Sequence, residues 1–73
     1  MKLNAIGSNQ TEVTIGNKRV LFSYSTPVAY YENGMYFKTS KKWSKTTSKH
    51  INQWIGGSPV NEIAQDLMDR VAQ

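Results

Sequence analysis

Seventy-three residues leave room for one domain and one core, and a chain this short buries only about 60% of the surface its unfolded form exposes. With no cysteine, disulfides and thiolate metal centres are excluded, and no stretch approaches the ~20 apolar residues of a membrane span. Nine Lys and Arg against five Asp and Glu give a net charge of +4, a balance that by itself favours anionic partners only weakly, and without an apolar span no membrane partner is expected.

Taken in chain order, "KLNAI" reads as a short strand over about 2–6, and the segment around it lacks the apolar centre of a signal peptide. Two hairpins follow. In "TEVTI-GN-KRVLF" the Gly16-Asn17 pair sits between alternating runs, the mark of a two-residue turn. That register sets Ile15 against Lys18, Val13 against Val20 and Thr11 against Phe22. Val13, Ile15, Val20, Phe22 and Tyr24 then form a core face, while Glu12, Thr14, Arg19, Leu21 and Ser23 form a mostly wet one. Thr26-Pro27 marks an end, bend or bulge, because proline donates nothing to a ladder. The second hairpin, "VAYYE-NG-MYFKT", turns at Asn33-Gly34 and pairs Glu32 with Met35, Tyr31 with Tyr36, Tyr30 with Phe37 and Ala29 with Lys38. Val28, Tyr30, Met35 and Phe37 share its inward side, and Tyr31, Tyr36 and Lys38 the other.

Two helices complete the pattern. Ile51, Trp54 and Ile55 recur at i, i+3, i+4 in a helix over about 47–55, which Thr46, Thr47 or Ser48 would cap and Gly56-Gly57 would stop. Ser58 and Pro59 then open a helix over 59–72, with Val60, Ile63, Ala64, Leu67, Met68 and Val71 as its apolar stripe. The expected fold is α+β: a single domain over 1–73, with an antiparallel sheet of four or five strands over about 2–40. A basic connector at 38–47 leads to two C-terminal helices packed on one face.

That connector carries the chemistry. Lys38 to Lys49 holds five of the seven lysines and no acid, whereas Glu62 to Arg70 holds three acids against one arginine. Charge is therefore segregated along the chain. A helix N-terminus offers unpaired N–H groups to an anion. Lys38, Lys41, Lys42, Lys45 and Lys49, with Thr46, Thr47, Ser48 and His50, are the candidate anion-binding residues, the anion lying near the backbone of 47–50. The opposing reading is a solvated loop whose hydroxyls only cap a helix. Tyr31, Tyr36 and Trp43 are the candidate stacking residues for bases. The tyrosine pair serves equally well to stabilise its hairpin, or as core if the helices cover that face, and Trp43 serves as an anchor for the connector. Trp54, in register with Ile51, belongs to the core. His50 lacks the third group that would orient a catalytic triad, so no catalytic residue is assigned and an enzyme is not expected. Glu62, Asp66 and Asp69 share one helix face, but a solvated face explains them better than a cation site, and no metal or cofactor is expected.

The runs "FSYSTPVA" (Phe22 to Ala29) and "KKWSKTTSKHINQW" (Lys41 to Trp54) resemble a family of small uncharacterised proteins from tailed phages and some prokaryotic genomes. The likeness covers about residues 10–55, is most specific in Thr-Thr-Ser-Lys-His-Ile-Asn, and leaves out the C-terminal helix. The family transfers no activity or cofactor. It implies a phage-type accessory protein acting in the cytoplasm of an infected bacterium. The expectation from residues and resemblance together is non-specific binding of DNA or RNA through the basic loop and helix N-terminus. The alternative is an interaction module that docks the same basic, aromatic segment on an acidic host protein. A homodimer joining the acidic last helix to the basic loop of a second copy is also consistent with the charge pattern.

Overall fold

A computed structural model describes residues 2–7 and 9–72, with the backbone alone for 2–7. Its elements are β1 (Lys2–Gly7), β2 (Gln10–Ile15), β3 (Lys18–Ser23), β4 (Thr26–Glu32), β5 (Met35–Thr39), α1 (Lys45–Ile55), β6 (Val60–Ile63) and α2 (Gln65–Val71). The α+β class is as expected, and both hairpins take the expected registers, Val13 against Val20 and Tyr31 against Tyr36 among them. Turn chemistry explains this. Gly16 alone supplies a positive φ in the first turn, whereas Asn33 and Gly34 both do in the second, as a type I′ turn requires. The irregularity expected beside Pro27 lies where the β3–β4 register shifts, between Leu21 and Phe22.

The sheet has six strands in the order β1-β2-β3-β4-β5-β6. The first five pair antiparallel in succession, and β6 runs parallel to β5. A parallel return needs a crossover, and α1 provides it. The expected helix over 59–72 is therefore strand in its first part and helix only from Gln65. Val60 and Ile63, three apart, fit a helical stripe on paper. In β6 they point to opposite faces, Val60 joining the layer beneath α1 and Ile63 the layer beneath α2. Ser58 and Pro59 precede a strand, and the shortened helix starts after Ala64, which makes no side-chain cap.

Nor do the helices share a face. Val20 and Leu21 are consecutive and both wholly buried, which a strand permits only if the sheet is covered on both sides. Leu21, Val28 and Ala29 pack with Ile51 and Ile55 of α1. Val20 and Tyr30 pack with Met68 of α2. Leu21 and Ser23, expected on the wet side, lie under α1. The bulge turns Val28 to that side too, while Met35 and Tyr24, expected inside, are exposed. Each fully buried apolar side chain of this size stabilises by about 1.5–3 kcal/mol, so two thin cores replace the single larger one expected. No described helix is long and apolar enough to cross a membrane.

Candidate nucleic-acid interface

Ser44 caps α1, not the hydroxyls after it. Its Oγ accepts from the Thr47 N–H at 3.2 Å, and its carbonyl accepts from the Ser48 N–H at 3.0 Å. The helix consequently begins at Lys45, two residues earlier than expected, and ends at Gly56, whose φ of 66° is the left-handed cap glycine favours. The expected anion position near 47–50 is thereby corrected: the amides at 47 and 48 are spent inside the cap, and those beyond lie within the helix. What remains open to an anion is the outer surface of the first turns, with the Lys45 and Thr46 N–H groups that the cap does not take.

Thr47 and His50 turn inward. Ser23 Oγ lies 3.0 Å from Thr47 Oγ1 and 2.9 Å from His50 Nδ1, and Ser44 Oγ donates to Thr47 Oγ1 at 3.3 Å. With Ser44 as the first donor, one proton direction satisfies the whole row: Ser44 to Thr47, Thr47 to Ser23, Ser23 to Nδ1 of a histidine protonated at Nε2. Thr47 is 6% and His50 7% exposed, so both candidate anion ligands at 47 and 50 are parts of a packed polar cluster. This cluster was not foreseen. Its signal lay in the spacing of Thr47, His50 and Ile51, which share one inward side of a helix.

The lysines gather outside. Lys42, Lys45 and Lys49 line a shallow groove of about 450 Å³ together with Ser48 and Asn52. Lys38, Lys41 and Lys42 line an adjoining hollow of about 280 Å³ that shares Ser48 and Asn52 and takes in Glu62. All five candidate lysines, and Ser48, thus lie on one continuous surface spanning the β5–α1 connection and the outer side of α1. Thr46 is exposed on the same helix but lines neither hollow.

The three aromatics do not form one platform. Trp43 anchors the connector: it packs on the α1 core, its Nε1–H donates to Gln65 Oε1 at 3.2 Å, and Lys41 Nζ lies 4.3 Å from its ring centre. Gln65 in turn donates to the Pro27 carbonyl at 2.9 Å, tying the start of α2 to β4 and to the basic connector. Tyr36 sits under the far end of α1, edge-on to Trp54 with centroids 5.6 Å apart and 4.7 Å from Tyr31. Arg19 covers Tyr31 at 4.7 Å. Trp54, half-buried against the same core as expected, donates its Nε1–H to Glu12 Oε1 at 2.9 Å. From Lys45 to Trp54 is nine residues of helix, about 14 Å at 1.5 Å per residue. The tyrosine pair is therefore one end of the α1 core, and the lysines lie around the other.

A family model described as a family of unknown function (DUF8033) matches residues 1–70. That match takes in the C-terminal strand and most of α2, beyond the 10–55 span of the expected resemblance. No curated protein and no solved structure matches the chain.

Proposed function

The chain belongs to that family of unknown function, and since no activity comes with membership, we propose from its own geometry that it binds single-stranded or duplex nucleic acid non-specifically, through phosphate contacts along the outer side of α1 and the connector before it. The observation that carries this reading is the continuity of the two hollows, which share Lys42, Ser48 and Asn52 and between them take five lysines. Ammonium groups supply charge, while a hydroxyl and an amide supply directional donors at the same surface. At the amide end of the helix Ser44 takes the Thr47 and Ser48 N–H groups, which leaves those of Lys45 and Thr46 to face the same surface. In this reading the protein is a phage-type accessory factor of the host cytoplasm that binds without catalysis and without a cofactor.

The test is a titration with DNA and RNA oligonucleotides at several salt concentrations. Four or five neutralised phosphates give a slope of log K against log salt of about −3 to −5. Changing Lys42, Lys45 and Lys49 to Glu is expected to abolish binding at moderate salt. Affinity that ignores salt and survives these changes refutes the reading. A partner retained from host lysate after nuclease treatment, with no oligonucleotide affinity, would instead favour docking on an acidic protein.

A further inference from the structure

Tyr24 stands apart from everything used so far. Ser23 pairs with Thr26, so Tyr24 and Ser25 alone turn the chain from β3 to β4. Tyr24 does so at a φ of 59°, a left-handed conformation that suits glycine and strains a bulky residue. Its N–H donates to the Asn9 carbonyl at 2.7 Å, which fixes the turn. Burial does not offset the strain, for the side chain is 55% exposed. The His50 ring lies 6.3 Å away, tilted by 41°. The sequence thus holds a large aromatic ring at the surface in a position where a small residue would be cheaper.

Hollows flank that ring. One, of about 210 Å³, is lined by Ser23, Tyr24, Thr26, Trp43, Ser44 and Thr47. The other, of about 300 Å³, is lined by Tyr24 with Thr11, Val13, Phe22 and Ser25. Trp43 belongs both to the first of these and to the groove of Lys42, Lys45 and Lys49. A polyanion lying along those lysines therefore passes the mouth of a hollow with aromatic walls and an exposed hydroxyl at Ser44. A nucleobase matches that chemistry: a flat π-face for Tyr24 and an edge N–H for the lone pair that Ser44 keeps after capping α1. A duplex keeps its bases stacked on one another and cannot offer one.

Building on the lysine surface as a phosphate site, we infer that the hollow beside Tyr24 takes an unstacked base, making single-stranded nucleic acid the ligand that this protein prefers. Fluorescence anisotropy with two single-stranded probes separates the claims: an oligothymidylate, and an abasic deoxyribose-phosphate oligomer with the same number of phosphates. The oligothymidylate is expected to bind the more tightly. Tyr24→Gly, which suits the backbone of the turn, is expected to lower oligothymidylate affinity about five- to 150-fold, while abasic binding and the salt slope hold. Tyr24→Phe is expected to keep the affinity, because stacking needs the ring and not its hydroxyl. Equal binding of both probes by the unaltered protein overturns the base site and leaves the lysine surface standing, as does an unchanged Tyr24→Gly or a Tyr24→Phe that falls as far as it. Failure of both probes to bind overturns the lysine surface and this inference with it.

Discussion

Ser23 is the residue on which the polar interior turns. Its hydroxyl lies between Thr47 and His50, so removing it strands the buried His50 Nδ1 and takes one of the two hydroxyl contacts of Thr47, which keeps Ser44. Leaving a buried polar group without its partner costs about 1–3 kcal/mol, and each kcal/mol lowers Tm by about 4–8 °C in a domain of this size. Ser23→Ala is expected to lower Tm by at least about 4 °C in a calorimetric melt, and an unchanged Tm would mean that the cluster contributes nothing. Tyr30 contributes a sensitivity to alkaline pH. Its side chain is 9% exposed, and burial, helped by the Glu32 carboxylate, raises the phenol above its ordinary value. The fold prefers the neutral phenol, so this contribution is whole below the unfolded value of about 10 and is lost as pH rises through the higher folded value. Urea melts across that range are expected to find stability declining above about pH 10, and Tyr30→Phe declining less steeply.

At the scale of the element, the legible and the illegible parts of the sequence differ for physical reasons. Hairpin registers were readable because Gly16-Asn17 and Asn33-Gly34 restrict the backbone to a few turn types, and the alternation on either side then leaves no freedom. Faces were harder. Val20-Leu21 and Val28-Ala29-Tyr30 are unbroken apolar runs, the pattern of strands buried on both sides. Read as alternation, they assign Leu21 and Val28 to the wrong layer. Val60 and Ile63 were ambiguous outright, since a spacing of three serves one helical stripe or two sheet faces equally well. The start of α1 is hard to read from sequence because three hydroxyls follow Ser44, each a competent cap in isolation. Trp43, held by the core and by Gln65, fixes the preceding backbone so that Ser44 is the one in position. Ser44→Ala is therefore expected to cost about 1 kcal/mol in chemical denaturation, whereas Thr46→Ala and Ser48→Ala stay within about 0.5 kcal/mol. The reverse order would place the cap where the sequence alone suggested.

For the molecule as a whole, what matters is where charge sits relative to the two layers. The lysine surface lies on the α1 side of the sheet, and Arg70 lies in the last turn of α2 on the other. Losing Lys45 or Arg70 changes the net charge by the same single unit, so a protein that binds polyanions by net charge alone responds equally to both. A localised phosphate surface does not, because exposed charges separated by more than a Debye length, about 8–10 Å at physiological salt, are largely screened from the ligand. Lys45→Ala is accordingly expected to make the slope of log K against log salt shallower by about 0.7–0.9, the share of one phosphate contact, with Arg70→Ala leaving the slope unchanged. Both variants keep the buried residues of their helices, so melts at the same salt provide the control for folding. Equal shifts for the two would mean that the clustering of lysines along α1 has no part in binding, and that the basic connector is only a solvated link between β5 and α1.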